Sequence, residues 1–202
     1  QRLIDQVKDT GGISFLAHPD DPAAPAFKET DISWEDWSVQ NYTGIELWNA
    51  LSELKAIVPT KFHGAFYAFF PALVAHQPIP ATIARWDELL SRGQRVVAIG
   101  GSDAHALHLR MGPISRVIYP YEFHFRTVNT HVLLPEPLSG DVTADKKLVY
   151  EALAAGHCFV GYDLPAPTRG FHFTGQGLEK AAAMGDEISA KNGVTLQAKL
   201  PS

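Results

Sequence analysis

The chain of 202 residues is poor in sulfur, with one cysteine, Cys158, and two methionines. A single cysteine excludes an internal disulfide and leaves the compartment open. No block of Lys and Arg occurs, and 17 basic residues face 22 acidic ones for a net charge of −5. That balance excludes the electrostatic footprint of a nucleic-acid partner. The longest apolar run, FHGAFYAFFPALVAH (62–76), is too short to span a bilayer, is interrupted by His63, Gly64 and Pro71, and lacks a basic face. It reads as a buried or capping segment. The start, QRLIDQV, has no signal-peptide pattern. No repeat, no low-complexity segment, no nucleophile motif for an acyl enzyme and no phosphate-cradling glycine loop is present.

With 46% hydrophobic residues, the chain is that of a globular protein, enough for one sizeable domain or one domain and part of another. Leu3, Ile4 and Val7 share a helical face, so 2–10 predicts a helix closed by Gly11 and Gly12. The opening therefore reads as the inside of a helix, and the chain as a piece of a longer one. ISFLA (13–17), GIELW (44–48) and RVVAI (95–99) predict buried strands. Segments 32–40, 50–58 and 62–76 predict helices, with Pro59 and Pro71 as breaks, as does ATIARWDELLSR (81–92), whose Ile83, Trp86, Leu89 and Leu90 form one face before a capping Gly93. Continuous apolar strands between amphipathic helices predict a parallel sheet or barrel.

Further on, 117–121, 127–135 and 157–163 predict strands. Residues 143–156 predict a helix with Thr143 at its N-cap. From about 164 the texture becomes glycine-rich and strand-like, which predicts residues 164–202 as the beginning of a separate β-rich domain.

Ligands in parallel α/β folds gather at the C-terminal ends of the strands. His18, Asn49, Asp103 and His105 all follow predicted strands directly. In GGSDAH (100–105), an extended backbone would turn Asp103 and His105 to one side, and Pro19 would hold His18 extended. A carboxylate with imidazoles suits Zn, Mn or Fe. Each residue also has a plainer reading: a hydrogen-bonded structural histidine, or an aspartate that caps a turn. Glu46 and Asn49 on the second strand, with Arg110 seven residues beyond Asp103, are candidates for substrate contact. Glu46 could equally serve a structural pair and Arg110 the surface. By alternation, 46 and 48 share one face of the strand, and 47 and 49 the other. His108, His124, His131, His157 and His172 show no ligand spacing and read as structural or solvent-facing. His63 and His76 are placed near a pocket mouth. Cys158 reads as a small core side chain.

GGISFLAHPDDP (11–22), GIELWN (44–49) and VVAIGGSDAHA (96–106) resemble the later part of a PHP (polymerase and histidinol phosphatase) domain, closest to the CehA/McbA-like branch of metallohydrolases. TVNTHVLLPEP and ALAAGHCFVGYD extend the resemblance to roughly 11–163. It implies a distorted seven-stranded β/α barrel, present here in part (1–163), with two or three divalent metal ions at the strand ends. His18 matches the AHP ligand, and Asp103 and His105 match the D-x-H ligands. The family's early H-x-H motif, a later histidine and a bridging acidic residue have no counterpart in this sequence, which places them upstream.

The function implied is a metal-dependent, phosphoesterase-like hydrolase that uses activated water. Asp103 would hold metal and orient the nucleophile, the aromatic segment 62–76 would line or cover an apolar pocket, and the partner would be a small-molecule substrate, by default a phosphoester, with a carbamate or amide-like ester as the alternative in this branch. The alternative is a non-catalytic binding or scaffold module that recognises a polysaccharide or a protein surface.

Overall fold

A computed structural model describes residues 1–74, 77–111 and 113–201. The chain opens with α1 (Arg2–Asp9), and Gly12 follows so tightly that a Cβ there would lie 2.9 Å from the Val7 side chain. β1 (Phe15–Leu16), β2 (Gly44–Asn49) and β3 (Val97–Gly101) form a parallel three-stranded sheet in the order β1-β2-β3. Their apolar runs are what a sheet with helices over it requires. Ile45 is fully buried at the centre, with Leu16, Val39, Leu89 and Val96 around it.

α2 (Ala50–Ile57) follows β2 directly, because the Asn49 side chain accepts the N–H groups of Leu51 and Ser52 and so starts the helix. α3 (Lys61–Phe69) is started by Thr60 and is followed by a 3-10 turn at Pro71–Leu73. The predicted helix 62–76 is thus broken at Pro71, which supplies no N–H to continue it. α4 (Pro80–Ser91) carries Leu89 into the core, and its Trp86 Nε1 donates to the Val96 carbonyl at 2.8 Å. No helix forms over 32–40. There, Asp31 and Asp36 accept the backbone N–H groups of Ser33 and Ser38, while Trp34 and Trp37 pack on the core from a loop.

β4 (Leu107–Met111) and β5 (Ile114–Ile118) form an antiparallel hairpin that places Leu107 opposite Ile118. α5 (Tyr121–His124) leads to β6 (Val128–Val132), which pairs antiparallel with β7 (Cys158–Tyr162). α6 (Val142–Ala154) lies between them and is capped by Asp141, whose carboxylate accepts the Ala144 N–H at 2.8 Å. The cap expected at Thr143 belongs to Asp141, which reaches the third N–H beyond it.

The β6-β7 pair packs beside β3, where the Thr130 hydroxyl bonds both the N–H (2.9 Å) and the carbonyl (2.7 Å) of Gly100. A Cβ at Gly100 would collide with Val160, so glycine permits this approach. Cys158 is buried here, which pushes its thiol pKa up.

β8 (His172–Gln176), β9 (Ala181–Ala182) and β10 (Thr195–Lys199) form an antiparallel sheet in the order β10-β8-β9, with every residue of β10 exposed. Two separate contacts fasten it to the rest. Thr168 binds Asp163 through its N–H (2.7 Å) and its hydroxyl (2.6 Å), and Asp163 meets His131 Nε2 at 2.8 Å. At the other end, Arg95 donates to the carbonyls of Ala155 and Gly185, while His157 Nε2 stands 3.2 Å from Asp186. The architecture is mixed α/β, and among the described residues no helix is long and apolar enough to cross a membrane.

Candidate functional site

The C-terminal ends of β1, β2 and β3 are joined by one hydrogen-bond chain. Glu46 Oε2 accepts the backbone N–H of His18 at 2.7 Å and Asn49 Nδ2 at 3.0 Å. The same Asn49 amide reaches Asp103 Oδ2 at 3.3 Å. Three adjacent strands therefore present His18, the Glu46–Asn49 pair and Asp103 to one place, as parallel topology predicts.

Simple alternation along β2 would send Glu46 and Asn49 to opposite faces. The register instead slips between Glu46 and Trp48, which pair with the consecutive residues Ile99 and Gly100. This bulge turns Asn49 back onto Glu46. Trp48 then faces a second core cluster and donates to Glu53 at 2.9 Å. The Glu46 carboxyl is pushed above its ordinary range by burial, against the opposing effect of its hydrogen bonds from Asn49 and His18.

Two details differ from the sequence expectation. His18 is not extended: its φ is 33°, and this turn delivers its N–H to Glu46. Asp103 has φ 49°, so residues 102–106 form a turn rather than a continued strand. His105 folds back within that turn, its Nδ1 lying 2.8 Å from the Asp103 carbonyl oxygen and 3.4 Å from Oδ1. A carbonyl only accepts, so Nδ1 carries the proton and Nε2 keeps its lone pair free. Of the five non-glycine residues with positive φ among those described, His18, Asp103 and Tyr119 border this region. Such strain costs of order 1–3 kcal/mol each and concentrates where geometry serves a purpose.

His124, expected to be structural or solvent-facing, is buried beside this turn. It is 4% exposed, its Nε2 is buried without a hydrogen-bond partner, and the charges of His105 and Asp103 act on its ring. Burial lowers its pKa, opposed in part by the His105 and Ser102 backbone carbonyls, which favours the neutral imidazole that a metal requires. No spacing rule links residue 124 to the D-x-H motif; the hairpin β4–β5 brings it back. His18 Nδ1 is likewise buried and unpartnered.

The donor types, imidazole nitrogens and a carboxylate, are those that a divalent cation takes. Two buried imidazole nitrogens lack partners, a third imidazole has its tautomer set by a carbonyl, and a carboxylate is oriented by an amide. As the side chains stand, no group of three or more His, Cys, Asp or Glu among the described residues is close enough together to hold an ion. Binding would therefore require the rings to turn.

Arg110 is exposed on β4, three residues outward from Leu107 and so about 10 Å along the hairpin. The structure does not bring it to Asp103. Asn49 and Glu46 are engaged with protein groups, which makes them supports of the site. His63 bonds Thr60 at the surface, and His76 lies outside the described residues.

A cleft of about 510 Å³ opens on Asp103 and His105. Its walls include Phe27, Leu51, Leu54, Leu107 and Tyr119, with Gly64 and Ala68 contributed by α3. Burial and the nearby Tyr67 push the Tyr119 hydroxyl pKa up to about 12, so it is neutral. No protein-family profile, no curated protein and no solved structure matches this chain.

Proposed function

We propose that this chain carries part of a PHP-type metal-dependent hydrolase site, set on a partial, distorted (β/α)7-type barrel and acting on a small phosphoester. The observation that supports the reading most is the single hydrogen-bond chain from His18 through Glu46 and Asn49 to Asp103, across three parallel strand ends. His18, Asp103 and His105 would hold one or more of the two or three Zn, Mn or Fe ions that the resemblance implies, with His124 within reach as a further ligand.

A bound divalent cation supplies Lewis acidity, which activates water and polarises the scissile bond. The protein's share is positional. Asn49 would aim one carboxylate oxygen of Asp103, and the other, 3.4 Å from His105 Nδ1, would face a cation. The Asp103 carbonyl accepts a hydrogen bond from His105 Nδ1–H, which would leave Nε2 to face a cation. Glu46 fixes the strained His18 backbone through its N–H.

The test is metal uptake by the chain, measured by calorimetry and elemental analysis with Zn, Mn and Fe. Weak, reversible binding is expected, and Asp103→Asn and His105→Ala should each reduce it by at least tenfold while the circular-dichroism spectrum stays unchanged. Uptake that ignores both substitutions would overturn the reading.

A further inference from the structure

The amphipathic pattern of α3 is inverted. Phe62, Phe66 and Phe69 stand at i, i+4 and i+7, the spacing of a helix face that ordinarily packs on a core. Here that face points to solvent. Phe62 is 79% and Phe69 68% exposed, and Phe66, Phe70 and Leu73 are exposed beside them. The inward face belongs to Gly64, Tyr67 and Ala68, with the Phe27 ring seated where a Cβ on Gly64 would be. The segment expected to be buried or capping thus packs inward through small residues and turns its phenylalanines outward. The Phe66 ring lies 5.0 Å from Phe70 and 5.4 Å from Tyr67, so the rings form one cluster. At 150–250 Å² per aromatic side chain, the exposed surface is on the order of 500 Å², a size that marks an interaction site.

The sequence of 62–76 supplies no basic face of its own, but the hairpin β4–β5 brings one to it. The Arg116 guanidinium lies 5.5 Å from the centre of the Phe69 ring. Lys61 is exposed at the start of α3, and Arg110 is exposed on the same hairpin, on the face opposite Arg116. None of these three cations is in an ion pair among the described residues. The net charge of −5 is carried elsewhere: no Asp or Glu occurs between Glu53 and Asp87, or between Asp103 and Glu122. Asp21 and Glu29 stand on the cleft side of α3, with Gly64 and Ala68.

We propose that the outer face of α3 and the Pro71–Leu73 turn, flanked by Lys61 and Arg116, is a docking surface for an anionic lipid bilayer. The phenylalanines and Leu73 would enter the boundary between headgroups and acyl chains, with the two cations at the level of the lipid phosphates. A second copy of the chain fits less well. A symmetric contact through this patch would set Lys61 and Arg116 against their own counterparts with no carboxylate to pair them. Its area also falls short of the roughly 800 Å² that each partner of a stable complex buries. Lipid needs no matching hydrogen-bond partner, and the patch presents none besides its cations. The proposal is independent of the metal reading, since it uses the other side of α3.

The experiment is co-sedimentation of the chain with vesicles of phosphatidylcholine alone and of phosphatidylcholine with 30% phosphatidylglycerol. Binding to the anionic vesicles is expected, at least tenfold tighter than to the neutral ones and weakened by 0.5 M NaCl. Phe62→Ser with Phe69→Ser should abolish it, and Arg116→Glu should remove the preference for anionic lipid, with the circular-dichroism spectrum unchanged in both. Hydrogen exchange on the unaltered chain checks the surface without any variant: vesicles should slow exchange in 62–73 and not in β8–β10. Absence of binding to anionic vesicles, binding indifferent to the phenylalanine substitutions, or protection elsewhere would overturn the proposal. So would a dimer in sedimentation velocity that Phe69→Ser dissociates, which would assign the patch to a second copy. Binding to poly-glutamate as tight as to anionic vesicles would assign it to an acidic protein, and overturn the proposal as well.

Discussion

The side-chain amide of Asn49 lies 3.3 Å from the carboxylate of Asp103 and ties the end of β2 to the turn after β3. The other half of that side chain starts α2 by accepting two backbone N–H groups. One residue thus serves both the helix and the site, and these roles separate by substitution. Asn49→Asp keeps an acceptor for α2 but removes the donor and sets a third carboxylate beside Glu46 and Asp103. It should lower stability at pH 7 by about 1–3 kcal/mol, whereas Asn49→Ala should cost about 1–2 kcal/mol through the lost cap. Urea unfolding measures both. Metal affinity should fall about 10–100-fold on Asn49→Ala if the amide orients Asp103 as a ligand.

His124 offers a test with opposite signs for stability and binding. Its buried Nε2 has no partner, and an unsatisfied buried polar group costs about 1–3 kcal/mol. His124→Leu should therefore leave the unfolding free energy unchanged or raise it. The same substitution should weaken Zn²⁺ binding. A histidine that serves only packing would show neither a stability gain nor a metal effect.

At Gly100 the argument is steric. Thr130 bonds both backbone groups of this residue, and Val160 and Val128 close over it. Gly100→Ala should destabilise by about 1–3 kcal/mol through overpacking. Adding Val160→Ala should recover part of the loss, since the two changes share one space. A double-mutant cycle in denaturant reads this coupling directly.

Asp163 carries the acid sensitivity of the tail attachment. Burial pushes its pKa up, but hydrogen bonds from Thr168, Asn129 and His131 prevail and hold it at about 2, below the ordinary 3.8. An acid with a depressed folded-state pKa adds stability above its unfolded pKa, and that stability is lost as pH falls through the folded value. The contribution, discounted for partial exposure, is about 1–2 kcal/mol. The gap in stability between the native chain and Asp163→Asn should be full above pH 4 and shrink as pH drops towards 2, as followed by urea titrations across that range.

The strand ends were legible in the sequence because 13–17, 44–48 and 95–99 are largely apolar and are soon followed by polar residues, His18, Asn49 and Ser102. The amphipathic face of 81–92 was legible from its apolar spacing. Hairpin β4–β5 carried a signal of its own, since LHLRM (107–111) alternates apolar and polar residues strictly, although no strand was expected there. The slip in β2 left no mark: nothing in GIELWN says that Glu46 and Asn49 will meet. His124 could be found only through tertiary packing, because the groups that act on its ring, Ser102, Asp103 and His105, lie far back along the chain. The helix expected over 32–40 failed because Asp31 and Asp36 bind their own backbone two residues on, and this local competition offsets the pull of two tryptophans.

The two fastenings of the β8–β10 sheet have a kinematic meaning. A body held at one point can swivel in any direction, and a body held at two separated points can turn only about the line between them. Here one pin is the Asp163–Thr168 junction after β7, and the other is the Arg95 and His157 contact with residues 185–186. The exposed strand β10 therefore keeps one freedom relative to β3 and β7, rotation about that line.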